Sequence, residues 1–270
     1  MPAATSKRVK GFALERKFII GNVAHILPHP DHPDNPDDPT PPEFTKGWTV
    51  YVRPLPNGPD IRTWLKKVQF KLHHTYRESN VTIEASTLDV EDLKKGKGFE
   101  VKRTGYGEFS VEIRLYFAPE AAEKAVYREH YLVLGTYGTP EQKARQEQDN
   151  IIIAERLEVI TFNNPTLEFF KLMTDEEENF GWLKVKKGRG KGKKPEYVFE
   201  GDVEPTAQLP EKPPAGSDGE AGKGGAWSQQ FENQTIAGLK DGSKQLDQLI
   251  ADEQKKAEER RETIDAQRAA

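Results

Sequence analysis

The chain has 270 residues, of which 35% are apolar and 31% charged, so it must carry substantial solvated segments beside any packed core. It holds no cysteine, which excludes disulfides, thiolate metal sites and cysteine nucleophiles and fits a reducing intracellular compartment. Forty basic and 44 acidic residues give a formal charge of −4, so any contact with nucleic acid has to come from a local cluster. No segment has the apolar length of a signal peptide core or of a membrane span, so we expect a soluble protein without membrane contact.

Apolar residues recur with a period of two from Lys17 to about Leu134, in short blocks separated by Pro, Gly, Asn and Asp. In the clearest block, residues 109–117, apolar positions alternate with mostly polar ones, as a half-buried strand requires. The predicted strands are residues 18–23, 48–52, 68–72, 99–101, 109–117, 127–134 and 157–162. This spacing is typical of an all-β, antiparallel sandwich of two sheets.

Two long polar segments interrupt the strands, and both are predicted to be loops. Residues 28–42 contain seven prolines and four aspartates, so the segment can neither pair regularly in a sheet nor bury apolar area. The spacing of His25, His29 and His32 beside aspartates suggests a metal site as an alternative. We favour a solvated loop without metal, because repeated proline holds the segment extended and provides no rigid geometry for ligands. Residues 77–97 form the second loop, with a short helix from Thr87 to Lys95.

The C-terminal part of the chain changes composition three times. A proline at 165 precedes an amphipathic stretch at 167–173, which predicts a short helix that caps the sandwich. The run from Lys184 to Lys194 then places seven positive charges in eleven residues. Residues 195–226, rich in Pro, Gly, Glu and Ala, predict a disordered linker.

The last residues recover helical periodicity with alternating spacings of four and three, which indicates a heptad seam of a coiled coil. The seam is poor, because Ser243, Glu253 and Arg260 occupy core positions and Gly242 weakens the helix. It therefore favours pairing with a partner's better seam over a strong homodimer. The predicted division is a sandwich at 7–174, a basic and Pro/Gly-rich flexible linker at 175–232 and a coiled-coil helix at 233–270.

Three short stretches carry the functional signal: EFTKGWTVYVRP at 43–54, QFKLHHTY at 69–76 and TGYGEF at 104–109. In their order and chemistry they resemble the YEATS domain. The opening KRVKGFALERKFIIGNVA and the closing RLEVITFNNPTLEFFKLM are similar to that family's first strand and last strand and helix, so the resemblance covers about residues 7–174. Within the family, the chain is similar to the YEATS subunits shared by histone-acetyltransferase and histone-exchange remodelling complexes, which also end in a coiled coil.

The resemblance implies an immunoglobulin-like β-sandwich with a slot for acylated lysine at one end. The residues it assigns to acyllysine binding are Phe44, His73, Thr75, Tyr76, Gly105, Tyr106, Gly107 and Phe109. Two departures are conservative: Tyr106 stands where the most similar members carry tryptophan, and Thr75 replaces the usual serine. The longer segment at 77–98 means that the family's flanking histone contacts cannot be transferred to this chain.

The chemistry of these residues suits a neutral acyl amide. A buried amide needs hydrogen-bond partners, since an unpaired donor or acceptor costs about 1–3 kcal/mol. Thr75 can supply a hydroxyl, and His73 is expected either to orient this hydroxyl or to line the slot. The glycine-framed turn lets the backbone N–H of Tyr106 approach the acyl oxygen. The rings of Tyr76 and Tyr106 are expected to sandwich the flat amide. A slot open at both ends admits crotonyl as readily as acetyl groups.

Other interpretations of the same residues remain open. The aromatics Tyr76, Tyr106 and Phe109 are also compatible with sandwich core. The basic run at 184–194 is as compatible with a solvated tether as with a nuclear-import or weak DNA-contacting patch. A structural adaptor with an idle slot is the alternative function. No cofactor is expected, and the sequence lacks GxSxG, HExxH and phosphate-loop motifs, which argues against an enzyme. The chromatin interpretation places the protein in the nucleus.

Overall fold

The structure is a computed structural model that describes residues 7–34, 39–187, 196–199, 201, 203–208 and 229–269. Its strands are β1 (Ala13–Ile26), β2 (Lys46–Pro54), β3 (Leu65–Lys71), β4 (Asn80–Glu84), β5 (Phe99–Gly105), β6 (Ser110–Phe117), β7 (Val126–Tyr131), β8 (Ile152–Asn163), β9 (Lys184–Lys187) and β10 (Glu196–Phe199). Its helices are α1 (Val90–Lys94), α2 (Pro140–Asp149), α3 (Leu167–Thr174), α4 (Glu176–Phe180) and α5 (Gln229–Ala269). Short 3₁₀ turns lie at Ile61–Thr63, Ala85–Thr87, Pro119–Ala121 and Gly181–Leu183.

Eight of the strands form two antiparallel sheets of four, in the orders β5-β2-β1-β8 and β4-β3-β6-β7, and β9 pairs with β10 in a separate hairpin. The all-β sandwich expected from the sequence is therefore confirmed. The register places the beginning of β2 beside the end of β5, with Lys46 opposite Gly105. This end of the sandwich is where the residues of the proposed slot meet.

The core lies between the two sheets and is built from the inward positions of the alternating strands. Phe18, Trp48 and Val50 of one sheet and Phe70 and Ile113 of the other have no exposed surface. Burial of such side chains is worth roughly 1.5–3 kcal/mol each, so the period-two pattern is also the main source of stability.

All seven strands predicted from apolar alternation are present, although their ends differ by a few residues. The structure adds elements that were not predicted, namely β4, α2 and, within the predicted linker, α4, β9 and β10. The segment 77–97 is not wholly a loop, because it contributes edge strand β4 as well as the short helix α1 inside the predicted helical stretch. Helix α2 was not predicted; it begins with a capping box, in which Thr139 and Gln142 bond to each other's backbone N–H.

The proline-rich loop after β1 is more structured than its composition suggests. His29 and His32 form an isolated antiparallel bridge. The loop brings ring nitrogens of His25 and His29 and a carboxylate oxygen of Asp31 within 4.8 Å of one another. The expectation that this loop lacks a geometry to gather ligands is therefore wrong.

The predicted capping helix is α3, which begins after Thr166 rather than at the preceding proline. The Thr166 hydroxyl accepts a hydrogen bond from the backbone N–H of Phe169 at 3.1 Å, which is a standard helix cap. Phe169 is fully buried and packs edge-on against Phe162, with ring centroids 4.8 Å apart. The helix thereby closes one end of the core.

The packed unit extends beyond the predicted boundary at residue 174. Trp182 and Leu183 are buried, and the indole N–H of Trp182 donates to the carbonyl of Gly58 at 3.1 Å. Asn179 accepts from Arg16 of β1 at 3.0 Å. Strand β9 accounts for residues 184–187 of the basic run, whereas residues 188–194 lie outside the described residues, as does most of the predicted linker.

Helix α5 has 41 residues, which corresponds to a length of about 60 Å. Apolar side chains on it are exposed, among them Leu239, Leu246 and Ile250. The prediction that this helix forms a coiled coil stays a prediction. Among the described residues, no helix combines the length and apolar character that crossing a membrane requires.

The packing of Trp182 predicts that the sandwich depends on residues after 174. We expect Trp182→Ala to lower the free energy of unfolding by about 3–5 kcal/mol, because it removes a buried aromatic ring and its hydrogen bond. Tyr131→Ala, which removes a ring that is 55% exposed, serves as the control and should change stability by less than about 1 kcal/mol. Urea unfolding followed by circular dichroism measures both. Equal free energies of unfolding for the two variants would show that the segment around Trp182 does not stabilise the sandwich.

Candidate functional site

The candidate site is a pocket of about 280 Å³ at one end of the sandwich. Three segments meet there: the residues before β2, the turn after β3 and the turn between β5 and β6. The pocket is lined by Phe44, His73, Thr75, Tyr76, Gly105, Tyr106, Gly107, Glu108 and Phe109. The structure thus brings together all eight residues that the sequence assigned to acyllysine binding, and it adds Glu108.

The floor of the pocket is an aromatic cluster continuous with the core. Phe109 is half-buried, and its ring centroid lies 5.9 Å from that of Trp48, 5.8 Å from that of Tyr76 and 5.9 Å from that of His73. Trp48 is fully buried and meets Tyr76 edge-on at 5.8 Å. Such edge-to-face contacts fix ring orientation, so the floor is preformed.

The rim of the pocket is exposed and apolar. The side chain of Tyr106 is 70% exposed, and its ring lies 6.0 Å from that of Phe44. An aromatic side chain left in water at a turn is a natural contact for a ligand, since covering it releases ordered water. The two tyrosines expected to sandwich the ligand thus lie in different ring clusters: Tyr106 with Phe44, and Tyr76 with the floor.

A histidine and a hydroxyl provide the polar part of the site. His73 and Thr75 flank a turn that is closed by a backbone hydrogen bond from Tyr76 N–H to the carbonyl of His73 at 3.1 Å. Nδ1 of His73 and the hydroxyl of Thr75 are 2.9 Å apart, and both residues line the pocket. When Nδ1 carries the proton, the hydroxyl accepts from it and directs its own hydrogen towards a ligand acceptor.

The position of Tyr76 is fixed by both a hydrogen bond and its packing. Its hydroxyl donates to the backbone carbonyl of Thr104 at 3.1 Å, which joins the turn after β3 to strand β5. Partial burial raises the pKa of Tyr76 above its ordinary value, and the neighbouring indole N–H of Trp48 partly opposes this effect. The ring therefore remains a neutral wall of the pocket at physiological pH.

The two glycines of the turn have different roles. A Cβ on Gly105 would lie 2.5 Å from the Tyr76 hydroxyl and 3.4 Å from Nε1 of Trp48, so the missing side chain makes room for the tyrosine. A Cβ on Gly107 would meet no atom within 4 Å. Gly105 is thus required by packing, whereas Gly107 leaves the backbone at the pocket wall uncovered.

Glu108 is the residue of the pocket that the sequence motifs did not assign. Its carboxylate accepts hydrogen bonds from the backbone N–H groups of Leu134 at 2.8 Å and Gly135 at 2.9 Å. The backbone carbonyl of Phe109 also accepts from Leu132 at 2.9 Å. These bonds tie the turn between β5 and β6 to the segment after β7. The signal in the sequence was an acidic residue inside an otherwise apolar, glycine-framed turn.

The fold and this pocket define a β-sandwich binding module with an aromatic-walled, largely neutral slot at one end. Comparison with known proteins gives the family. The model of the YEATS family matches residues 43–136. The protein AF-9 homolog of Emericella nidulans is 32% identical over 268 residues, which cover 95% of this chain and 83% of that one. The protein AF-9 homolog of Saccharomyces cerevisiae is 34% identical over 189 residues, or 66% of this chain and 76% of that one.

Among solved structures, the chain is similar to the Yaf9 YEATS domain bound to acetylated histone H3. The two chains are 34% identical, and their superposition has a TM-score of 0.47. The match covers 62% of this chain and 97% of that chain. The curated relatives extend over most of both sequences at above 30% identity. The chain belongs to the YEATS family.

Because the space around Gly105 differs from that around Gly107, we expect alanine at these two positions to have different effects on stability. We expect Gly105→Ala to lower the free energy of unfolding by about 1–3 kcal/mol, because the new methyl group forces Tyr76 out of its place between Trp48 and Phe109. Gly107→Ala should change it by less than about 1 kcal/mol, since its methyl group projects into open space. Thermal unfolding measures the stabilities, and the aromatic NMR shifts of Tyr76 report its displacement. An undisturbed Tyr76 in Gly105→Ala would contradict the packing role of this glycine.

Proposed function

We propose that this protein is a chromatin reader that binds acylated lysine on histone tails and acts as a subunit of histone-acetyltransferase and histone-exchange remodelling complexes. The observation that carries the proposal is the convergence of the eight residues on one preformed pocket. Family membership supports it, because the acyllysine slot is what the YEATS resemblance implies for these positions. The YEATS family is one of reader domains and not a known enzyme family, in agreement with the expected non-enzymatic role.

The dimensions and walls of the pocket suit an acylated lysine. An apolar acyl chain gains by leaving water and packing against Phe109, Tyr76 and Tyr106. The amide that joins it to the lysine still needs partners, and the Thr75 hydroxyl, held by His73 at 2.9 Å, is a partner at the pocket wall. The methylene chain of the acylated lysine, beyond the amide, can extend out of the pocket through the exposed rim.

The charge distribution favours a neutral ligand over an unmodified lysine. The one carboxylate in the lining, that of Glu108, has an oxygen occupied by two backbone N–H groups. An ammonium group buried there would lose its hydration, and the Glu108 carboxylate, already held by the two N–H groups, would offset only part of this cost. Acylation removes this charge, so the pocket discriminates through the cost of desolvation.

Helix α5 supports the assignment of the protein to a larger complex. Its exposed Leu239, Leu246 and Ile250 lie on the predicted heptad seam. Glu253, at a core position of that seam, forms an ion pair with Lys256 at 2.8 Å, which reduces the cost of placing it at an interface. Helix α5 also favours the alternative function, in which the protein is a structural adaptor and the slot is idle.

A nuclear location follows from the proposed function, and the basic run at 184–194 is proposed as an import signal or weak DNA contact. The first lysine of the run is engaged in the fold: Lys184 is paired with Glu177 and lies 5.4 Å from the ring centroid of Phe199. The contribution of the run to import or DNA contact therefore has to come from the lysines and arginine that follow it.

Peptide titration tests the reader function directly. We expect the chain to bind acetylated and crotonylated histone H3 peptides more tightly than unmodified or trimethylated ones, because the slot suits a flat neutral amide. Tyr106→Ala should weaken binding by at least about 30-fold, the effect of removing a hot-spot aromatic. Thr75→Val, which keeps the shape but removes the hydroxyl, should weaken it by about 10-fold.

The matched control for Tyr106→Ala is Tyr127→Ala, which removes a tyrosine of β7 that is 52% exposed, lies opposite Arg114 and does not line the pocket, and which should leave affinity unchanged. Isothermal titration calorimetry gives the affinities, and melting curves show that each variant is folded. A folded Tyr106→Ala with wild-type affinity would exclude the slot, and equal affinity for acylated and unmodified peptides would favour the idle-slot adaptor.

Deletion of residues 233–270 separates reading from assembly. We expect the truncated chain to keep its acyllysine affinity, because the pocket lies wholly within residues 44–109. It should lose its protein partners in a pull-down from nuclear extract, because the exposed seam is removed. If the truncated chain retains the full set of partners, the sandwich itself is the docking element.

A further inference from the structure

A second cluster of chemistry-bearing side chains lies outside the acyllysine pocket, where β1 ends and the proline-rich loop begins. It consists of His25, which is buried, and His29 and Asp31 on the loop. One ring nitrogen from each histidine and one carboxylate oxygen lie within 4.8 Å of one another. We propose that His25, His29 and Asp31 bind a late divalent transition-metal ion such as Zn²⁺, with a fourth position open to water.

The distances are close to those of a metal site. Oδ2 of Asp31 lies 3.6 Å from Nε2 of His25 and 3.8 Å from Nδ1 of His29. Ligand atoms around a tetrahedral Zn²⁺ are roughly 3.4 Å apart, given metal–ligand bonds of about 2.1 Å. The Asp31 distances therefore need only small shifts, and Asp31 is on the exposed side, where it can move. The rings of His25 and His29 are stacked, with centroids 3.7 Å apart and an interplanar angle of 4°, so His29 has to turn out of this stack before its lone pair can face the same ion as Nε2 of His25.

His25 is oriented as a ligand before any metal binds. Its Nδ1 lies 2.8 Å from the backbone carbonyl of Asn150. A carbonyl only accepts hydrogen bonds, so Nδ1 carries the proton and Nε2 presents its lone pair towards Asp31. A second-shell carbonyl that fixes the tautomer in this way is the common arrangement behind metal-binding histidines.

Asn150 is itself held in place, which makes this second shell rigid. Its side-chain oxygen accepts from the backbone N–H of Ile26 at 2.7 Å, and its side-chain nitrogen donates to the carbonyl of Ile26 at 3.0 Å. The residue adopts a left-handed conformation with φ of 49°. Asn150 therefore caps the C-terminus of helix α2 and also fixes the end of β1 through its side chain.

The donor set indicates the class of metal. Two imidazoles and one carboxylate suit Zn²⁺, Ni²⁺ or Cu²⁺, whereas Ca²⁺ and Mg²⁺ prefer an all-oxygen shell. Three features oppose binding: the rings of His25 and His29 are stacked, Lys102 adds a positive charge nearby, and Nδ1 of His29 accepts from the backbone N–H of Asp31 at 3.2 Å. That bond is exposed, so water can replace it when the imidazole turns to a metal.

The test is a titration of the tag-free, full-length chain with ZnCl₂ after removal of metals by EDTA. We expect one Zn²⁺ per chain and a rise in the melting temperature on binding. Asp31→Asn should weaken binding by more than the roughly 10- to 100-fold that loss of a second-shell partner costs, because it removes a direct ligand. Since Asp31 is exposed, this variant keeps the fold. Bound Co²⁺ provides a second readout through the visible absorption of a four-coordinate ion.

Two control variants make the result specific. Asp34→Asn changes a carboxylate in the same loop that accepts from Thr40 N–H at 2.7 Å, and its amide oxygen keeps that bond, so Zn²⁺ binding should persist. His74→Gln removes one of the adjacent histidines His73 and His74, another surface where Zn²⁺ could bind. The proposal is overturned if the wild type binds no stoichiometric Zn²⁺, if Asp31→Asn binds as tightly as the wild type, or if His74→Gln rather than Asp31→Asn abolishes binding.

Discussion

The structure depends on the burial of Trp48, whose ring belongs at once to the core of the sandwich and to the floor of the pocket. It has no exposed surface and meets Tyr76 and Phe109 edge-on. The floor of the pocket is therefore continuous with the core of the sandwich, and it is as rigid as the core. A preformed slot loses little conformational entropy when a ligand enters, so a small contact area can yield useful affinity.

Alternation of apolar residues predicted most of the fold because every strand with one buried face shows it. Strand β4 was missed although Asn80–Glu84 alternates polar and apolar residues, because this edge strand is only five residues long and has two apolar residues in a segment that is otherwise polar. The packed segment around Trp182 was missed for another reason. Its burial arises from contacts with Gly58 and Arg16, which are far away in sequence and leave no periodic signal.

The composition of the candidate site was predictable, but its geometry was not. Three ordered motifs identified the residues, since a family resemblance transfers residue types position by position. The pairing of Tyr106 with Phe44 and the anchoring role of Glu108 depend on how two turns approach each other. The geometry of the histidine cluster was even less predictable from the sequence, because Asn150, which orients His25, lies 125 positions away from it in the chain.

The core, which supports the pocket, and the proline-rich loop contact opposite faces of strand β2. Trp48 points into the core and supports the pocket, while His32 of the proline-rich loop packs over the neighbouring Gly47, where a Cβ would lie 2.4 Å from its ring. The loop is closed at its base by a hydrogen bond from Leu27 N–H to the carbonyl of Thr45 at 3.0 Å. None of the three proposed metal ligands lines the pocket, so a metal ion at the cluster would contact the loop and not the walls of the proposed slot.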